Sequence, residues 1–170
     1  MASKDSFGAR GGFRFQAGTT QLQGGPNGNL YVGSYFFGQV YELDPNTNPH
    51  TQIVDKDGTI WYAGNRAAHI GKIDPNTGKI TKYIMPDSTP RDPHTMVFDG
   101  KGNIWFTAQG ANRIGRLNMK TEKVDLITPH DTPSNPYGIV LDPQGNPWVA
   151  LLRTNTVAKI DPNTLAVTKF

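Results

Sequence analysis

Three stretches of this chain repeat one another, and the period of that repeat limits the fold more than any other property. "PHTQIVDKDGTIWYAGNRAAHIGKIDPNTGKITKY", "PHTMVFDGKGNIWFTAQGANRIGRLNMKTEKVDLI" and "PYGIVLDPQGNPWVALLRTNTVAKIDPNTLAVTKF" align so that Trp61, Trp105 and Trp148 fall in register, 44 and 43 residues apart. Pro49, Pro93 and Pro136 keep the same two spacings. A repeat of this length is one supersecondary unit that buries its apolar face only by stacking on a neighbour.

In the second copy "TMVFD" alternates as far as Gly100 and Gly102, which suit hairpin positions of positive φ; "NIWFTA", "RIGRLN" and "KVDLIT" follow, separated by turns. Four short antiparallel strands per unit predict the blades of a propeller around a central channel. The expected fold class is all-β: a β-propeller of four-stranded antiparallel blades, about four in this chain. The tryptophans would wedge between neighbouring blades, where a large ring fills the gap between twisted sheets.

The expected division is a segment over residues 1–19, a partial blade over 20–48, and blades over 49–92, 93–135 and 136–170. In the partial blade, "QLQGGPNGNLYVGSYFFGQVYELDPNT" sets Gly28 against Gly58, Tyr31 against Trp61 and Asp44 against Asp74. Roughly fourteen residues of an outermost strand are missing before Pro49. "FRFQ" at 13–16 is the nearby candidate to patch that edge, and an unpatched edge invites pairing. Propellers close with ~4 to 8 blades. Self-association of two or more copies into one ring is therefore the expected assembly.

Composition narrows the partners. The 19 glycines and 13 prolines sit at turn positions, and the formal charge of +3 comes from lysines and arginines scattered singly. Without a basic run, nucleic acid is not an expected partner. No apolar run approaches the ~20 residues that cross a bilayer, and "MASKDSFGARGGFRF" lacks the apolar stretch of a secretory signal. The expectation is a soluble chain off the membrane, cytoplasmic or secreted with its signal removed. Cysteine is absent, so packing and ring closure must supply stability.

The inner strand of each blade opens at the channel mouth, where a small-molecule or peptide ligand would collect. The residues after the repeat prolines, His50, His94 and Tyr137, therefore belong on one rim. Asp92 stands two positions before His94, placed to orient the imidazole or to help hold a metal. Asn48 and Asn135 hold the equivalent places. A plainer reading stands beside this one: proline plus a polar residue simply opens each strand by inheritance of the repeat. His69, in the turn before a third strand, and His130, in a polar loop, are expected in solvent. "DKDG" opens like a calcium loop, but Arg66 stands where the twelfth-position glutamate belongs, and "DGKG" and "DPQG" mark the same place as a hairpin turn. Ser34 sits in a strand with no marked activator.

The combination of "PHTMVFDGKGNIWFTAQGANRIGRLN" with "PYGIVLDPQGNPWVA" resembles the virginiamycin B lyase family, also called streptogramin B lyases, over about residues 20 to 170. The resemblance implies a seven-bladed propeller that opens the ring ester of a cyclic depsipeptide by elimination, with a base taking the proton alpha to a carbonyl and Mg2+ steadying the charge. It further implies His94 as general base, His50 as its partner in polarising the substrate, Asp92 toward magnesium and Tyr137 against the ligand. One departure stands out: where the family's "WFTE" carries an acid, this chain has Gly64, Ala108 and Leu151.

Overall fold

The computed structural model describes residues 19–24, 30–34, 40–43, 53–54, 57, 59–64, 68–74, 76–86 and 92–170. Up to Val54 the description is of strands and their register. Fifteen strands and no helix are found among the described residues. They form four antiparallel sheets in chain order. The first holds β1 (Thr19–Gly24), β2 (Leu30–Ser34) and β3 (Val40–Leu43); the second holds β4 (Ile53–Val54), β5 (Ile60–Gly64), β6 (His69–Ile73) and β7 (Ile80–Ile84). The third runs β8 (Pro93–Phe98), β9 (Asn103–Ala108), β10 (Arg113–Asn118), β11 (Val124–Ile127). The fourth runs β12 (Pro136–Leu141), β13 (Pro147–Leu151), β14 (Thr156–Ile160), β15 (Val167–Lys169). Each strand pairs only with its neighbours in sequence, and β1 lies beside β4, β5 beside β8 and β8 beside β12. This is the blade architecture of a β-propeller, present here in part.

The "WF" pair explains how one strand serves two cores. Adjacent residues on a strand point to opposite faces, so Trp105 and Phe106, both fully buried, enter different layers. Phe106 joins Met96, Ile104 and Leu117 against Trp61, Ile70 and Tyr83 of the second sheet. Trp105, with Ile114 and Ile127, packs against Ile139, Val149, Leu151, Ala158 and Ile160 of the fourth. Trp61 and Trp105 thus fill the gaps between blades. Trp148 belongs to the fourth sheet, half-buried, with its ring stacked on Phe170, the centroids 5.3 Å apart.

Two local devices recur in the described sheets. Asp99 accepts hydrogen bonds from the Asn103 amide, from the Asn103 and Lys101 backbone N–H groups, and from the Trp105 indole at 3.2 Å. Asp142 does the same for Gln144, Asn146 and Trp148, the indole lying at 3.0 Å. The "DGKG" and "DPQG" stretches are therefore turns whose carboxylate anchors the wedge tryptophan. The second device is glycine opposite an aromatic ring. A Cβ on Gly115 would stand 1.9 Å from the Phe106 ring, and one on Gly71 2.2 Å from Tyr62. In the fourth sheet the same pair is Val149 and Ala158, a smaller side chain facing a larger one across the ladder.

Candidate functional site

The rim begins with an irregularity in the inner strands. Between Pro93 and Met96 of β8 the register slips, so that His94 and Thr95 together face the single residue Thr107. The same slip between Pro136 and Ile139 sets Tyr137 and Gly138 opposite Ala150. A bulge of this kind re-aims the side chain it carries. It also leaves a backbone donor without its ladder partner. In β8 the Thr95 N–H donates instead to the Thr107 hydroxyl at 3.3 Å, and that hydroxyl donates onward to the Tyr137 carbonyl at 2.9 Å. Thr107, fully buried, therefore fixes the rim of one blade to the rim of the next.

His94 and Tyr137 meet at this junction. Their ring centroids lie 4.7 Å apart with the planes tilted by 41°. The His94 Nδ1 is 3.1 Å from the Thr95 hydroxyl, and Tyr137 keeps 41% of its surface exposed. Burial of the imidazole disfavours its charged form, and the nearby Asp92 charge offsets this only in part, so His94 titrates below the usual histidine value. At neutral pH it is an unprotonated base.

Asp92 stands just before the strand, and one carboxylate oxygen accepts a hydrogen bond from the Gly110 N–H in the turn after β9. A Cβ on Gly110 would come within 3.1 Å of that oxygen, a tight contact. The next turn residue with a role is Asn112, in the left-handed region at φ 54. Its amide donates to the His130 and Thr132 carbonyls at 2.9 and 3.3 Å, and its carbonyl oxygen accepts from the Ser134 N–H at 3.0 Å. These bonds pin the loop that leads into Pro136 and Tyr137. Thr107 and Asn112 escape a reading of the sequence because each acts across a blade boundary; the signal for Asn112 was its place before the third strand of a repeat.

The other expected residues fall as follows. His50 lies outside the described residues, as do Asn48 and "FRFQ". His69, expected in solvent, is instead 2% exposed: it opens β6 directly after Ala68, whose φ is 52. Its Nε2 lies 3.2 Å from the Tyr62 hydroxyl, whose pKa burial pushes up to about 12. The reason is Gly64, across the ladder, where a Cβ would stand 2.4 Å from the imidazole. His130 is half-buried, its Nδ1 accepting from the Thr132 N–H at 3.1 Å.

A magnesium site needs several oxygen ligands. Among the described residues no three histidine, cysteine, aspartate or glutamate side chains come together as metal ligands. Asp92 spends one oxygen on Gly110, and the position that carries the acid in "WFTE" is the fully buried methyl of Ala108. The described residues do not fit the ion.

The profile of the virginiamycin B lyase family matches residues 22–160. The chain belongs to the virginiamycin B lyase family. Among solved structures, the selenomethionine-substituted virginiamycin B lyase from Staphylococcus aureus is similar with a TM-score of 0.75 at 21% identity, over 91% of this chain and 55% of that one. A streptogramin B lyase gives 0.75 at 22% identity, over 91% and 54%. A catalytically inactive histidine-to-alanine variant of the Staphylococcus aureus virginiamycin B lyase, with quinupristin, gives 0.72 at 23%, over 91% and 55%. The chain spans about half the length of these lyases. No curated protein matches it by sequence. No helix among the described residues is long and apolar enough to cross a membrane.

Proposed function

We propose that this member of the virginiamycin B lyase family binds a cyclic depsipeptide of the streptogramin B type at the His94–Tyr137 rim and opens its ester by elimination. The observation that carries the reading is the half-buried His94 ring held against Tyr137 at the start of two adjacent inner strands. His94 takes the proton alpha to the substrate carbonyl, and the electron pair of that C–H bond becomes a carbon–carbon double bond. The neighbouring carbon–oxygen bond of the ester breaks, and the acyl group leaves as a carboxylate. Tyr137, exposed on one side, offers the ligand an aromatic face. No step is assigned to magnesium, because the described residues hold one carboxylate there.

A second reading is favoured by Ala108: a rim that binds the ligand without turning it over. Incubation with quinupristin, with and without magnesium, followed by mass spectrometry separates the two. Elimination gives a linear product of unchanged mass, and His94→Ala abolishes it while the protein stays folded. Binding with the ring intact supports the second reading, and no binding by the folded protein removes both.

A further inference from the structure

Thr95 sits in the bulge of β8, and its side chain serves the neighbouring imidazole rather than the ladder. The bulge does not require a hydroxyl there, since β12 makes the same slip with Gly138 in the equivalent place. The Thr95 backbone is held separately, its N–H donating to the Thr107 hydroxyl at 3.3 Å. What the side chain touches is His94: Oγ1 lies 3.1 Å from Nδ1, and both residues are half-buried. The sequence repeats this pairing. The copies with histidine after the repeat proline continue with threonine, as His50–Thr51 and His94–Thr95, whereas the copy with tyrosine continues with glycine, as Tyr137–Gly138. Threonine accompanies the histidine, not the strand.

A neutral imidazole has one proton for two nitrogens, and the partner of one nitrogen decides which of them carries it. Two arrangements satisfy the contact with Thr95. If the hydroxyl donates, Nδ1 accepts and Nε2 carries the proton; the one basic site is then Nδ1, and taking a proton there costs the bond to Thr95. If Nδ1–H donates to the hydroxyl oxygen, the basic lone pair is on Nε2. A proton arriving on Nε2 then leaves an imidazolium whose Nδ1–H still meets the same oxygen, now in a charge-assisted bond. A base that removes a proton from carbon needs the second arrangement. We propose that Thr95 is the positioning residue of His94: its hydroxyl oxygen accepts the Nδ1 proton, holds the ring in that tautomer and leaves Nε2 to take the proton of the substrate. This rests on the lyase reading, and it separates the two readings of the rim, because a ring held the other way is a donor to a ligand carbonyl. Thr107 completes the frame. By accepting from the Thr95 N–H and donating to the Tyr137 carbonyl at 2.9 Å, it ties the residue that holds the imidazole to the residue that faces it.

Long-range 1H–15N correlation NMR of the 170-residue chain with 15N-labelled histidine reads the tautomer directly. It is recorded at about pH 8, above the ordinary histidine value, and the His94 signals are those lost in His94→Ala. The expected wild-type ring carries its proton on Nδ1. Thr95→Val, which keeps the branched shape and removes the hydroxyl, shifts His94 toward the Nε2–H form while circular dichroism shows the protein folded; Thr95→Ser restores the wild-type signals. With quinupristin, Thr95→Val lowers kcat by roughly tenfold and leaves KM nearly unchanged, and Thr95→Ser recovers the rate. If the wild-type chain leaves quinupristin whole, the lyase reading alone fails, and the tautomer still decides the part played by Thr95. A wild-type His94 with its proton on Nε2 overturns the proposal without any variant. So does a tautomer that Thr95→Val does not move, or a kcat indifferent to the loss of the hydroxyl.

Discussion

A single hydroxyl joins the two rim residues. Thr107 accepts from the donor freed by the bulge in β8 and donates to the carbonyl of Tyr137. Thr107→Val keeps the volume but leaves a buried N–H and a C=O short of partners, which costs about 1–3 kcal/mol for such groups. Denaturant unfolding should show that loss, and Thr107→Ser should recover most of it. Substitution of His94, half-buried and outside the two cores, should leave stability nearly unchanged and affect only ligand handling. The pH dependence follows from its lowered pKa: turnover that needs the neutral imidazole is constant above about 6.5 and falls only at lower pH. A rate that instead rises on acidification would assign the base elsewhere. His94 and Tyr137 were legible as rim candidates from their spacing after proline, and the structure sets their rings together. Thr107 was not legible, since Gly33, Ala63 and Ala150 hold its place in the other copies and its role exists only across a blade boundary.

The strands of the third sheet were readable almost residue by residue from alternation and turn glycines, because each hairpin states its own periodicity. What lay hidden was the reason for particular side chains. The turn aspartates look like fragments of a calcium loop until the indole they anchor is seen. For Asp142 the Asn146 amide leads the groups that hold the carboxyl well below its usual range; at Asp99 burial works the other way and is outweighed by hydrogen bonds from Asn103, Lys101 and Trp105. A depressed folded pKa gives stability that is present above the unfolded carboxylate value of ~3.9 and is lost as pH falls through the folded one. Acid unfolding should therefore set in below about pH 4, and Asp142→Asn should flatten the dependence of stability on pH in that window, as followed by tryptophan fluorescence. The glycines opposite aromatic rings make a different prediction. Gly115→Ala should cost about 1–3 kcal/mol by overpacking, and combined with Phe106→Val it should cost less than the two changes summed. Strict additivity would mean that the ring moves aside freely. His69 shows the limit of local reading: its burial follows from a missing Cβ at Gly64, across the ladder rather than along the chain.

Over the whole molecule, the repeat period and its four short strands carried the propeller, and the family resemblance pointed to the same fold; neither could say how side chains divide between two interblade cores. The division matters for stability, because the third sheet is clamped on both faces, by the second sheet on one side and the fourth on the other. The bulge at the start of the inner strands has a wider meaning. By absorbing an extra residue where the ladder begins, it separates the position that confronts a ligand from the alternation that feeds the cores. A mutation there alters what the rim recognises while the packing beneath keeps its register, so natural variation can explore new chemistry at that point with little risk of losing the fold.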